Sequence, residues 1–261
     1  DVLFVVDNSG SMMDDQQELA SNFDAFVRAA QDNADNLDVQ IGMTTTDVDQ
    51  EAGALIGSPL VLDLAGSQTP GRFRDRANVG IDGSGWEQGL EAARLALSTT
   101  GPNVGAGFLR DNAALSVIVV SDEDDFSVRR DQPPADVFEL TPVLSYIDVL
   151  RAVKSTTVAE VPVLFSAVVP NWASRYMEVV EAFGGITLDI NTPWGAALGE
   201  IGEATVQLAR SFTLASAPDS VLLVTVDGAP VTNYVVDGAT VTFDDPLPEG
   251  AEVEISYDPG C

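Results

Sequence analysis

The sequence predicts an α/β fold: a doubly wound, mainly parallel sheet flanked by helices, followed by a small all-β unit. Three observations predict it. The run Val2-Leu3-Phe4-Val5-Val6 is apolar without interruption, as a strand buried on both faces requires. From there to about Arg210, strand-like apolar runs alternate with stretches of helical periodicity, the pattern of successive βαβ units. Beyond Ser211 the helical period disappears, and short strand-like runs are joined by Asp-Gly and Pro/Gly-bearing turns.

Taken in order, the elements follow from local pattern. Leu19, Phe23, Phe26, Val27 and Ala30 recur at helical spacing, which predicts an amphipathic helix near residues 15–32. A strand follows over 37–46. Residues 47–82 read as loop-rich, with a short extended piece at 60–64. The cationic cluster Arg72, Arg74 and Arg76 is expected to sit in a solvated loop or to serve acidic neighbours internally. A helix over 86–98 and a central strand over 115–121 come next. Thr141-Pro142 reads as an N-cap with proline at the first helical position, opening a helix to about Lys154. A strand at 161–169, a helix at 173–183 stopped by Gly184-Gly185, a strand at 186–190 and a helix from Thr192-Pro193 to Arg210 complete the alternation. Four strands are expected beyond it, at 221–226, 231–236, 239–243 and 251–257. The expected organisation is an α/β domain over 1–210 and a small antiparallel, sandwich-like domain over 211–261. Such a unit serves either as a packing appendix or as an assembly module whose sheet edges are open to strand addition.

Composition narrows the partners. With 261 residues, 45% of them hydrophobic, the chain can bury a sizeable core and a small appended one. Asp and Glu number 41 against 12 Lys and Arg, a formal charge of −29, and Lys154 is the only lysine. A field of that sign repels nucleic acid and anionic membranes. It fits a saline habitat, several Ca²⁺ sites, or solubility outside the cell. Histidine is absent, which excludes His-based triads and argues against a catalytic zinc site. Cys261 is the sole cysteine, so no disulfide is expected within these residues; pairing with another chain or with residues beyond them is left open. No stretch of about 18 apolar residues predicts a transmembrane helix. The sequence opens abruptly at its first strand with no signal segment, so leading residues are expected to precede it in an exported protein.

The first strand delivers Asp7 to its carboxyl end, where open α/β sheets place their ligands. Asp7-Asn8-Ser9-Gly10-Ser11-Met12 then offers one carboxylate and two hydroxyls on a turn kept open by Gly10. Hard oxygens converging on one point suit Mg²⁺, Mn²⁺ or Ca²⁺. The same residues also serve as helix caps, but the strand in front and the helix behind favour the cation.

At these residues the chain resembles the von Willebrand factor type A domain, whose metal-ion-dependent adhesion site opens with Asp-x-Ser-x-Ser after the first strand. The resemblance implies a distal Asp after the fourth strand, and the run Leu115 to Val120 leads into Ser121-Asp122-Glu123-Asp124-Asp125, which assigns that role to Asp122. It also implies a Thr from a loop midway along, and Ser84 in Gly83-Ser84-Gly85-Trp86-Glu87-Gln88-Gly89-Leu90 stands there instead. That segment, with Thr44-Thr45-Thr46-Asp47, is similar to a branch of secreted or lipid-anchored bacterial proteins. In that branch Cys often matches Ser84 and Phe126, and a Glu matches Glu87. Whether Ser84 or Glu87 completes the site is left open; Glu87 would make the cation a poorer acceptor for a carboxylate ligand, and it is equally suited to the first turn of the next helix.

Two functions follow from different classes. One is an extracellular or cell-surface module that binds a protein ligand or adheres through Mg²⁺ or Ca²⁺, with Asp7, Ser9, Ser11, Asp122 and either Ser84 or Glu87 as metal residues. The other is a structural subunit of a surface assembly, homo-oligomeric, in which the cation only stabilises the fold. An enzyme is not expected: no base of tuned pKa stands out, and Gly101 to Gly107 lacks the Lys-Ser/Thr of a phosphate loop.

Overall fold

The computed structural model describes residues 1–32, 38–111, 113–131, 139–154, 162–208, 210–214, 216–245, 247 and 251–260. Cys261 and the first residues of the strands expected from 37 and 161 lie outside that set. Six strands form one sheet: β1 (Val2–Val6), β2 (Gln40–Thr45), β3 (Leu62–Asp63), β4 (Leu115–Val120), β5 (Val163–Val169) and β6 (Thr187–Asp189), in the order β3-β2-β1-β4-β5-β6. All neighbours are parallel except β2 and β3. Helices α1 (Met13–Asp32), α2 (Thr69–Ala77) and α6 (Leu198–Leu208) cover one face; α3 (Gly89–Ala96), α4 (Val143–Val153) and α5 (Ser174–Phe183) cover the other.

The unbroken apolar run of β1 has a direct cause. Val2, Phe4 and Val6 enter the core under α1, while Leu3 and Val5 enter the core under α3 to α5, so no position of the strand meets water. Each such side chain contributes about 1.5–3 kcal/mol of burial. Phe4 meets Phe23, Phe26 and Phe73 edge-on at 6.3, 5.6 and 4.9 Å.

The 47–82 stretch is more ordered than its composition suggests. Arg72, Arg74 and Arg76 lie on α2, not in a loop, and all three are used internally: Arg72 on Gln68, Arg74 on Asp24, and buried Arg76 on the carbonyls of Pro59 and Leu60. Proline at the start of this helix fits a first-turn position, where its missing N–H costs nothing. Helix α3 starts at Gly89, three residues later than expected; Gln88 is its N-cap residue, and its amide donates to the Thr46 carbonyl. Pro142, not Thr141, occupies the N-cap of α4; the Thr141 hydroxyl accepts the amide of Arg129 instead. The Thr192 hydroxyl donates to Asp189, and the final helix begins only after a 3₁₀ turn at Gly195–Ala197. Gly184 ends α5 in the left-handed conformation, φ 69°, as its position predicts.

Among the described residues the tail holds six strands where four were expected: β7 (Ser211–Thr213), β8 (Pro218–Val226), β9 (Ala229–Pro230), β10 (Tyr234–Asp237), β11 (Thr240–Phe243) and β12 (Val253–Pro259). They form two antiparallel sheets, β10-β11-β7 and β12-β8-β9, that share one apolar cluster around Val224, Val241 and Phe243. Asp227-Gly228 turns with φ of 50° and 76°, the positive pair that a tight hairpin turn needs.

Candidate metal centre

The strand order doubles back between β1 and β4, which are adjacent in the sheet although the helices that follow them lie on opposite faces. That reversal lies at the carboxyl ends of the two strands, the place where open α/β sheets bind ligands. Asp7 stands there. Its amide donates to the Val120 carbonyl at 2.9 Å, and Gln16 of α1 donates to its carbonyl at 2.8 Å. One carboxylate oxygen accepts the Ser9 amide and the other accepts the Ser121 hydroxyl, both at 2.7 Å. Ser9 and Ser11 bring their hydroxyl oxygens to 3.3 Å of each other, Ser9 buried and Ser11 open to solvent.

Glu87 reaches the same place because its loop is drawn in at both ends. Gly83 donates to the Asn8 carbonyl at 2.8 Å, so close that a Cβ there would lie 2.3 Å from the Asn8 side chain. At the other end a Cβ on Gly89 would meet the Tyr176 hydroxyl at 2.3 Å. Between them Gln88 N donates to Thr46 O at 3.1 Å, and Phe126 N donates to Glu87 O at 2.8 Å. Glu87 is 2% exposed, and its Oε2 has no partner; Oδ1 of Asp122 is likewise buried and unpartnered. Ser84 is occupied elsewhere. Its amide donates to Asp47 at 2.9 Å, and its hydroxyl accepts the Trp86 amide at 3.0 Å, closing a local turn.

Electrostatics tie these carboxylates together. Burial raises the Asp7 carboxyl above the usual range; its bonds from Ser9 and Ser121 oppose the shift, and the charge of Asp122 adds to it. Burial also pushes Glu87 up to about 7, reinforced by Asp7, Glu123 and Asp122. Among the described residues no ion pair reaches Asp7, Glu87, Asp122 or Glu123. No group of three or more His, Cys, Asp or Glu side chains is placed, among the described residues, to hold a metal by those types alone. The oxygens are instead a mixed set of carboxylates and hydroxyls. Two unpartnered carboxylate oxygens beside a buried Asp, with no cationic side chain paired to them, fit a hard divalent cation.

Sequence reasoning missed two residues that brace Asp7 and gave no role to a third, Thr46. Ser121 pairs with Asp7 through strand register, and its position one residue before Asp122 was the available signal. Gln16 holds the Asp7 and Gly80 carbonyls at 2.8 Å each, for which sequence offers no cue. Thr46 presents a fully buried, unpartnered hydroxyl just past the end of β2.

No family model and no curated protein matches the sequence. Among solved structures, the fold is similar to that of the pilus adhesin SpaC from Lactobacillus rhamnosus GG, with a TM-score of 0.51 at 11% identity over 98% of this chain and 38% of that one. Weaker likenesses include a von Willebrand factor type A protein from Catenulispora acidiphila (TM-score 0.48, 14% identity, 99% and 58% of the two chains). Proximal thread matrix protein 1 from the mussel byssus is another (0.47, 14%, 82% and 49%). The chain thus spans between 38% and 58% of the length of these proteins. At such identities the likeness is one of fold: an α/β architecture with a mostly parallel sheet between helices.

Proposed function

We propose that the chain is a cation-dependent protein-binding module of the cell surface or extracellular space, without catalytic activity. In this reading Asp7, Ser9 and Ser11 hold Mg²⁺ or Ca²⁺, and the buried oxygens of Asp122 and Glu87 balance its charge. The observation that carries it is the pair of buried, unpartnered oxygens on Glu87 and Asp122 beside Asp7. When bound, the cation supplies a fixed positive charge that ties the loops after β1, before α3 and after β4 together. Glu87 takes the place considered for Ser84, because Glu87 brings a buried, unpartnered carboxylate oxygen while the Ser84 hydroxyl already accepts the Trp86 amide. A site with that added negative charge attracts a partner's carboxylate weakly, so recognition falls to the surface that the tied loops present. Met13, Trp86 and Trp172 stand on those loops or beside them at the carboxyl edge of the sheet, 57%, 55% and 59% exposed. Methionine and aromatic side chains of that kind are enriched where proteins meet. A formal charge of −29 disfavours nucleic acid and anionic membranes as partners, and no helix among the described residues is long and apolar enough to cross a membrane. The experiment is capture from a surface-protein fraction by immobilised chain: binding in Ca²⁺ or Mg²⁺, release by chelator, and none by Asp7→Ala. Capture that survives both chelation and Asp7→Ala ends this reading.

The structural-subunit reading has its own support in the tail, where Leu222, Leu223, Val235 and Val236 are exposed on β8 and β10. We read residues 211–261 as a separate β domain beside an α/β domain over 1–210, because the tail's apolar cluster draws only on residues from Phe212 onward. Light scattering separates the two functions. A chain that is monomeric over a wide concentration range, with and without Ca²⁺, removes the subunit reading.

A further inference from the structure

We propose that Thr46 supplies a further oxygen to the cation centre, an inference that rests on the reading of Asp7 as its anchor. Three consecutive threonines, Thr44 and Thr45 at the end of β2 and Thr46 just past it, are not equivalent. The Thr44 hydroxyl donates to the Ala54 carbonyl at 2.9 Å; the Thr45 hydroxyl donates to Glu51 at 2.7 Å and accepts the Asp47 amide at 3.2 Å. Thr46 is 0% exposed, and its hydroxyl bonds to nothing.

Register says where that hydroxyl stands. Val6 pairs with Thr45 on one side and with Val120 on the other, and the Thr46 amide continues the ladder by donating to the Val6 carbonyl at 3.2 Å. Asp7, Thr46 and Ser121 are therefore adjacent across three strand ends. Side chains alternate along a strand; Val6 and Val120 enter the core under α1, so the residues after them turn to the opposite face together. Ser121 meets Asp7 from one flank with a 2.7 Å bond. Thr46 stands on the other flank, and its carbonyl accepts the amide of Gln88, next to Glu87. A hydroxyl carries one proton and two lone pairs. The Thr46 backbone lies between Asp7 and the Glu87 segment, and with no partner bound its hydroxyl keeps lone pairs to offer a cation. A purely structural position gains nothing from a buried hydroxyl that bonds to nothing, since an apolar group of the same shape avoids its desolvation.

The test uses the full chain stripped of metal and titrated calorimetrically with Mg²⁺ and with Ca²⁺, for the wild type, Thr46→Val, Thr46→Ser and Asp7→Ala. Thr46→Val is expected to weaken binding about tenfold or more, with a metal-free thermal midpoint at or above that of the wild type. Thr46→Ser is expected to keep near-wild-type affinity. Wild-type affinity in Thr46→Val, with binding abolished in Asp7→Ala, overturns the role of Thr46 and leaves the centre standing. Equal losses in Thr46→Val and Thr46→Ser also overturn it, because the hydroxyl is then not the cause. No binding by the wild type overturns both.

Discussion

Two groups of buried carboxylates stand a few residues apart on the same sheet edge, and they are held in opposite ways. In the rear group, Asp125 accepts the Leu90 and Ser127 amides and the Ser127 hydroxyl, and Arg175 reaches it at 2.9 Å. Glu91 beside it is closed by Arg94, with two 2.7 Å bonds, and by the Arg130 amide. In the front group Asp7 is partly satisfied by hydroxyl and amide donors, Glu87 and Asp122 keep unpartnered oxygens, and among the described residues no ion pair reaches them. The rear group is complete within the chain. The front group keeps unpartnered oxygens that the rear group does not, and on the proposed reading that difference separates a scaffold from a binding site.

The largest expected effect breaks the scaffold side of the comparison. Arg175→Leu leaves the fully buried Asp125 charge without its partner, at a cost of about 3 kcal/mol or more. Denaturant unfolding should show that loss with or without divalent metal. A variant rescued fully by metal would merge the two groups into one system.

Next in size is the contrast between Glu87 and Ser84. Glu87→Gln should weaken Ca²⁺ or Mg²⁺ binding tenfold to a hundredfold or so, and Ser84→Ala far less, as measured by calorimetry. The reverse order would return Ser84 to the site and raise the odds that the cation captures an acidic ligand.

This contrast marks the boundary of what the sequence made legible. The Asp-x-Ser-x-Ser turn and the acidic run after β4 are strand-end features, and strand ends are readable because a buried parallel strand is a continuous apolar run. The alternation of elements, hence the fold class, was readable for the same reason. The choice between Ser84 and Glu87 depends on how the loop is pulled in at Gly83 and Gly89, against Asn8 and Tyr176, and those contacts join residues some 75 to 90 positions apart. Thr46 looks identical to Thr44 and Thr45 until register assigns its face. Helix α2 was hidden because Pro70 and Gly71 read as loop, although the fold uses the proline at the helix start.

A smaller effect concerns pH in the metal-free protein. Glu87 titrates near 7 when folded against an ordinary value of 4.5, so between those values the native state holds more protons than the unfolded one. Stability of the metal-free chain should therefore fall as pH rises from about 4.5 to about 7 and level off above, while cation affinity rises over the same window as the proton is displaced. Glu87→Gln should flatten both profiles. An unchanged stability profile in that variant would remove Glu87 from the cluster.

The smallest effect belongs to the surface as a whole. With a formal charge of −29, screening over a Debye length of about 10 Å at 0.1 M salt should relieve self-repulsion and raise the thermal midpoint. Ca²⁺ at equal ionic strength should raise it further, because it also fills the front group. Equal responses to NaCl and CaCl₂ would leave the front group with no special claim on the cation.

The most direct measurement is a calorimetric titration of the metal-stripped chain with Mg²⁺ and with Ca²⁺, beside Asp7→Ala. The account predicts saturable binding of one cation per chain by the wild type and no binding by the variant, since Ser9 and Ser11 alone offer only neutral oxygens. Binding of equal affinity in both proteins, or none in either, would contradict it.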